Sequence, residues 1–425
     1  MSKLAVLMIT AFVDMLGLLM VVPLLPFYAQ EMGGGGLWVG ILVSAFSLAQ
    51  LLSAPLWGRV SDRYGRRPAL LVGLGAAAIA YVVFAFAHSL WLLLLSRLIQ
   101  GAGGGTVGVL QAYVSDATAP KDRAKSLGWL SAATNAGVTI GPVIGSASLG
   151  WGESAPGLIA AGLCVVNMAF AWAYLSETHV GSANDPSVRS DVRPRDVIRR
   201  VLTAPGEPAP RLIWIYAIGI GAFMGYTGIL ALFLAARFGI TEKTIGFVFM
   251  WNGAISVLVR ALLLGRLVDW LGEARLSRLG QGLLAIGLFL LPLTYRVGSE
   301  TLFTLPNGVG VEARFLFLIG VMTLVPLGTA FTFPCVTAML SHVIDARERG
   351  VVMGVQQSFG GVARVAFPLL TGWAWDHLGT PYPFWISAAL VFGTLLLAFG
   401  IRTRGEGEDA PVPLAFAPAP APAAD

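Results

Sequence analysis

Gly58-Arg59-Val60-Ser61-Asp62-Arg63-Tyr64-Gly65-Arg66-Arg67 decides how this chain folds. The stretch lies between two long apolar runs, so charge and glycine are squeezed into one very short loop. The pattern returns in weaker form as Gly265-Arg266-Leu267-Val268-Asp269-Trp270-Leu271-Gly272-Glu273-Ala274-Arg275. Gly58 and Gly265, Asp62 and Asp269, and Gly65 and Gly272 are each 207 residues apart. A second set of pairs, Arg123 with Arg349, Gly128 with Gly354 and Pro142 with Pro368, is spaced by 226 residues. The wider spacing fits a longer loop near 298–313 in the second half. A charged loop repeated in register half a chain apart means two copies of one unit.

Composition places that unit in a membrane. The 425-residue chain is 56% hydrophobic and 12% charged, with a mean hydropathy of +0.76. A soluble domain carries about 25% charged residues. A spanning helix needs roughly 20 apolar residues, and twelve segments of that size can be drawn. They cover 4–28, 37–57, 68–87, 90–114, 124–149, 155–177, 211–236, 244–265, 276–297, 314–341, 348–373 and 381–402. The expected fold is therefore an all-α polytopic membrane protein of twelve transmembrane helices in two pseudo-symmetric six-helix bundles. Residues 1–177 form the first bundle and 211–404 the second. Residues 178–210, rich in Pro and Arg, read as a linker with a short amphipathic helix near 194–203 on the membrane surface. The Ala/Pro-rich stretch 405–425 reads as a disordered tail.

The first apolar run starts like a signal peptide, but it continues past Pro23 and Pro26 with no convincing cleavage site, and reads as retained. Cys164 and Cys335 fall inside spans and suggest neither a disulfide framework nor a metal site. No nucleotide-binding loop, metal cluster or nucleophile motif stands out. The expectation is a chain that is not an enzyme and needs no cofactor.

Lys and Arg accumulate in cytoplasmic loops. With both termini cytoplasmic, 21 of the 28 cations fall on that side, including Lys3, Arg59, Arg63, Arg66, Arg67 and Arg266. Arg237, Lys243, Arg296 and Arg314 fall outside, and Arg97, Arg260 and Arg364 within spans. The net charge of +5 is thus a matter of topology and calls for no nucleic-acid partner.

Gly58 to Arg67 resembles the signature loop of the major facilitator superfamily, between helices 2 and 3. Arg97-Leu98-Ile99-Gln100-Gly101 resembles its helix 4 motif, and Gly137-Val138-Thr139-Ile140-Gly141-Pro142-Val143-Ile144-Gly145 the helix 5 motif of its antiporters. Phe12-Val13-Asp14-Met15-Leu16-Gly17, continuing to Pro23-Leu24-Leu25-Pro26, looks like helix 1 of the tetracycline-efflux and related drug:proton exporters. Asp116 through Arg123 to Gly128-Trp129-Leu130 looks like the same branch. The likeness is dense in the first half. In the second it rests on architecture and the degenerate loop, with no clear match to a drug-binding set, and the third span contains no acid. The resemblance implies that Asp62 docks against helix 11, here starting near Arg349, when the cytoplasmic side is closed.

The residues have readings of their own. Gly58 and Gly65 permit sharp turns and close helix approach, and an acid such as Asp62 at a helix junction can cap an N-terminus. Asp116 would pair with a loop arginine. Together with Arg63, Arg66, Arg67 and Asp269 these residues form a candidate conformational latch; alternatively they only set topology. In the fourth span Arg97, Gln100, Gly104, Gly108 and Gln111 recur at helical spacing on one face. In the fifth, Gly137, Gly141 and Gly145 allow close packing and Pro142 supplies a bend. Asp14 is the acid nearest mid-membrane, where a carboxylate is costly unless paired or protonated. It is the candidate proton carrier, with Arg97 or Arg364 as partner, or else a structural core acid. Asn135, Asn252, Gln357 and Arg364 are candidate cavity residues, whereas Arg260 lies near enough to the helix end to snorkel.

Internal repeats around a mid-membrane site are how many secondary transporters are built. The expected function is alternating-access, proton-coupled export of a small amphipathic compound or drug across the cell membrane, by a monomer. The alternatives are a solute uptake symporter or facilitator, and a non-transporting assembly factor or receptor with the same fold.

Overall fold

The structure is a computed structural model that describes residues 3–119, 122–177, 192–296, 301–304, 310–345 and 347–399. The first half of the chain forms α1 (Lys3–Val21), α2 (Leu25–Glu31), α3 (Gly36–Tyr64), α4 (Arg66–Ala85), α5 (Leu90–Gly103), α6 (Thr106–Ala117), α7 (Arg123–Ser148) and α8 (Ala155–Tyr174). A short α9 (Pro194–Thr203) follows. The second half forms α10 (Pro208–Phe238), α11 (Ile245–Leu258), α12 (Leu264–Leu271), α13 (Glu273–Leu290), α14 (Ala313–Val343), α15 (Arg349–His377) and α16 (Tyr382–Ala398). Among the described residues, nine stretches of 20–31 residues are long and apolar enough to cross a membrane. The 17-residue α16 is shorter, and α7 and α15 are richer in Gly, Ser, Thr, Gln and Arg. Two short antiparallel strands, β1 (Thr301–Thr304) and β2 (Gly310–Glu312), depart from the all-helical expectation. The 405–425 tail and residues 178–191 of the linker lie outside the described residues.

The sequence repeat is a repeat of backbone geometry. Gly65 ends α3 and starts α4 with φ +103° and ψ 160°, and Gly272 joins α12 to α13 with φ +77° and ψ 159°. Such positive φ values favour glycine because a Cβ would clash. In both loops the glycine N–H donates four residues back, Gly65 to Ser61 O and Gly272 to Val268 O. The second repeat behaves likewise: α7 starts at Arg123 after Asp122, α15 starts at Arg349 after Glu348, and each carries its proline, Pro142 or Pro368, inside the helix.

Packing follows the same rule. In the first half α1 packs on α7 and α8, and α4 on α5 and α8; in the second α10 packs on α15 and α16, and α13 on α14 and α16. The halves meet along α3–α15 and α7–α11. Residues 194–203 form the expected amphipathic helix: Val197 and Val201 are buried, and α9 packs on α10 and α15.

Some single helices of the sequence reading are interrupted, the span at 244–265 by a π-helical turn at Val259–Leu263 between α11 and α12. The first span carries a 3-10 turn at Val22–Leu24, where Pro23 cannot donate a backbone hydrogen bond. The fourth span breaks at Gly104 and Gly105 between α5 and α6, so Arg97 and Gln111 do not share one continuous helix face.

Candidate functional site

A cavity of about 490 Å³ lies between the halves, lined by residues of α1, α2, α3, α7, α10, α11, α14 and α15, by Arg97 of α5 and by Val107 of α6. Its walls are mostly apolar, with Phe46, Phe223, Phe249 and Phe333 among them. Asn135, Asn252, Arg260 and Arg364 also line it. Most of the uncharged polar side chains are already engaged: Asn135 Nδ2 donates to Ser131 O at 2.7 Å, Asn252 Nδ2 to the Tyr226 hydroxyl at 3.1 Å, and Gln50 Nε2 to Gly104 O at 3.0 Å.

Asp14 does not line that cavity. It opens on an adjoining cleft of about 520 Å³ formed by α1, α6 and α7, with Gln111, Ser115, Ser131 and Thr134. Met15 and Val107 belong to both walls. Asp14 is buried, and its Oδ2 accepts a hydrogen bond from Thr106 Oγ1 at 2.9 Å. The break between α5 and α6 makes this possible, since Thr106 starts the new helix and is buried against α1. No bond or ion pair joins Asp14 to Arg97 or Arg364 among the described residues. Arg97 is 1% exposed, with its guanidinium 6.0 Å from the Phe84 ring centroid; Nε and Nη2 are buried without hydrogen-bond partners. Its neighbour Gln100 donates to the Tyr81 hydroxyl at 2.7 Å.

The two ends of the interface between the halves differ. At the Gly36 end they are in contact: Asp376 of α15 accepts from the N–H groups of Gly36 (2.7 Å) and Leu37 (2.8 Å) at the start of α3, and Ser44 Oγ donates to Val365 O at 2.6 Å. A Cβ at Gly36 would fall 2.6 Å from the Trp375 ring, and one at Gly40 or Gly372 would run into the facing backbone. Between α7 and α11, Ser146 Oγ accepts from Gly246 N–H (3.0 Å) and donates to Glu242 O (2.7 Å). At the charged-loop end, a Cβ at Gly58, Gly350 or Gly354 would meet nothing within 4 Å. That end is open.

The charged loop itself is well organised. Arg66 binds Asp62 at 2.6 Å and Asp116 at 3.0 Å, the pairing expected for Asp116. The Asp62 side chain is 63% exposed, and no bond joins it to α15 among the described residues. The acid that caps the N-terminus of α4 is Glu177, beyond the end of α8. It accepts from the N–H groups of Arg66 (2.9 Å) and Arg67 (3.1 Å), which corrects the capping role read for Asp62. Arg67 Nη2 also donates to Trp172 O. Arg63 lies beside the Tyr64 ring, and Asp269 is exposed.

The family model described as Major Facilitator Superfamily matches residues 7–323 and 297–423. The chain belongs to the Major Facilitator Superfamily. It is 27% identical to Multidrug resistance protein 2 of Bacillus subtilis (strain 168) over 383 residues, covering 89% of this chain and 90% of that one. It is 28% identical to the class G tetracycline resistance protein of Vibrio anguillarum over 385 residues, covering 85% and 90%. The crystal structure of the human organic anion transporter MFSD10 (TETRAN) matches with a TM-score of 0.64 and 26% identity over 93% of this chain and 98% of that chain. The nucleoside transporter NupG matches with a TM-score of 0.76 over 94% and 99%, at 13% identity, a likeness of fold alone. This superfamily member is a multi-pass transporter of the cell membrane acting on a small molecule, in a superfamily whose members are not enzymes in general.

Of the residues singled out from the sequence of this superfamily member, Arg97, Asn135, Asn252, Arg364 and Pro142 meet at the cavity. Gln357 does not: it is exposed, and its Oε1 accepts from the Tyr216 hydroxyl at 3.3 Å. Arg260, expected to snorkel, lines the cavity instead. Gly137, Gly141 and Gly145 pack on the backbone of α1 within the first half; a Cβ at Gly141 would fall 2.7 Å from Leu16 O. Between α7 and α11 the close contact of the halves is made by Gly246 and Gly253 against Pro142 and Thr139. Thr106, Glu177 and Asp376 carried no sequence signal beyond ordinary polar residues near helix ends.

Proposed function

We propose that the protein is a proton-coupled exporter of small amphipathic compounds that works by alternating access. Twelve helical passages fit this reading once α7, α15 and α16, which pack among the nine apolar stretches, are counted as crossings. The bias of Lys and Arg then puts both termini and the charged-loop end in the cytoplasm, and the state described is open toward the cytoplasm. In the opposite state Asp62 would dock on the start of α15, and Asp376 would leave the start of α3. Residues 1–177 and 211–404 would rock against each other as bundles, with a single chain sufficient for the cycle.

The observation that carries the coupling is Asp14, a buried carboxylate held by a hydroxyl rather than a cation, one wall away from the central cavity. A carboxylate at this depth is tolerated when it is protonated, paired or open to water. Protons would reach it through the cleft lined by Gln111, Ser115, Ser131 and Thr134, while the substrate occupies the adjoining cavity. Export rather than uptake is supported by relatives named for multidrug and tetracycline resistance. The test is accumulation of a substrate in inverted vesicles or proteoliposomes with and without an imposed pH gradient. Accumulation that is indifferent to the gradient would establish a facilitator, and none at all would favour a receptor-like role.

A further inference from the structure

We propose that the central cavity is built for an amphipathic organic anion, its negative group held by Arg97, Arg260 and Arg364. This rests on reading the cavity as the substrate site. Three guanidinium groups line it and, among the described residues, no Asp or Glu does. Arginine keeps its charge under essentially all conditions, so an empty cavity holds positive charge in an apolar, low-dielectric space. That is unfavourable without a counter-charge. Arg97 does not find one in Asp14, which turns to the adjoining cleft.

The hydrogen-bond inventory points the same way. Among the lining residues, the buried polar atoms without a partner are Arg97 Nε, Arg97 Nη2, Arg260 Nε and Asn252 Oδ1. Three donors stand against one acceptor. The hydroxyls of Thr139, Thr227 and Thr329 already donate to backbone carbonyls of their own helices. These atoms are closed to solvent, so no protein partner shares the guanidinium charge, and a ligand would meet the remaining edges of arginines, which match carboxylate, sulfonate or phosphate oxygens bidentately.

Arg260 adds a structural sign. The passage from α11 to α12 runs through a π-helical turn at Val259–Leu263, and Arg260 sits in it. Such single-turn π segments are rare and recur at functional sites. Phe46, Phe223, Phe249 and Phe333 supply the apolar remainder of the wall. The ligand they fit has an aromatic or aliphatic body and one or two anionic groups.

The test uses the full chain in nanodiscs with three probes of one shape: 2-naphthalenesulfonate, 2-naphthol and 2-naphthylmethylammonium, with affinity measured by titration calorimetry. The sulfonate is expected to bind about tenfold or more tighter than the other two, as a charge-assisted contact implies. Arg364→Gln and Arg260→Gln, both at half-buried positions, should each lower sulfonate affinity about tenfold and leave 2-naphthol unaffected. Size-exclusion profiles confirm that the variants fold, and the comparison of probes on the parent protein stands even if they do not. Equal or tighter binding of the ammonium probe, or full sulfonate affinity in both folded variants, overturns the proposal. Proteoliposome transport separates the two readings. Gradient-driven movement of the ammonium probe but not the sulfonate keeps the exporter and sinks the anion site. Sulfonate binding without gradient-driven movement keeps the anion site and sinks the proton-driven cycle.

Discussion

Replacing Asp376 with Asn should open the Gly36 end of the molecule. The Asp376 carboxylate accepts one hydrogen bond on each oxygen, from Gly36 and Leu37, at the start of a 29-residue helix belonging to the other half. Hydrogen bonds to a charged group contribute about 1.5–3 kcal/mol each, and an acid at a helix N-terminus adds about 0.3–1 kcal/mol. Asp376 is exposed, so the low end of both ranges applies. Asparagine keeps one acceptor oxygen and loses the charge and the second bond, a loss of about 1.5 kcal/mol. In the opposite state carboxylate and helix end would be separated and hydrated, so most of that loss would fall on the conformation described here. A shift of about 1.4 kcal/mol is tenfold in an equilibrium constant. The assay is the labelling rate of a single cysteine, Val43→Cys at the cavity wall, by an impermeant thiol reagent from the Gly36 side, with Cys164 and Cys335 replaced. The rate should rise about tenfold with Asp376→Asn, and Asp376→Glu should restore part of the closure. A rate equal to the parent's would mean that α3–α15 packing alone holds this end and the carboxylate is incidental.

Asp62→Asn should act in the other direction. It should reduce the cytoplasm-closed population and impair transport, and the double variant with Asp376→Asn should recover part of the parent's labelling balance; identical labelling in the single variant would leave the loop as a topology signal. Asp14→Asn should abolish gradient-driven accumulation and substrate-induced proton release, read with a pH dye in detergent, while leaving substrate binding measurable. Parent-like proton release would move the coupling elsewhere. Thr106→Val, which removes the hydroxyl bonded to Asp14, should alter the pH dependence of transport and leave expression intact. Gly141→Leu should destabilise by about 1–3 kcal/mol or more, as overpacking does, because its side chain would meet the backbone of α1; an unchanged melting temperature would contradict that packing.

The sequence by itself determined where most of the helices lie and which glycines turn the two charged loops. In lipid a backbone must satisfy its own hydrogen bonds, so an apolar run of sufficient length has one available structure, and the charged loops at Gly58–Arg67 and Gly265–Arg275 mark where it stops. The paired glycines at 65 and 272 were legible for a local reason too: both loops need the same positive-φ turn. The tertiary structure alone decided what faces what. Asp14 bonds to Thr106, 92 residues away, and not to the arginines that its charge suggested. Asp376 meets Gly36 across 340 residues. Gln357 bonds to Tyr216 and is not part of the cavity wall, while the π turn at Val259–Leu263 accompanies Arg260 there. In a soluble helix the apolar stripe reveals the buried face. Here both the lipid face and the packed face are apolar, so helix rotation leaves little trace in the hydrophobic pattern, and only the fit of one helix against another fixes it.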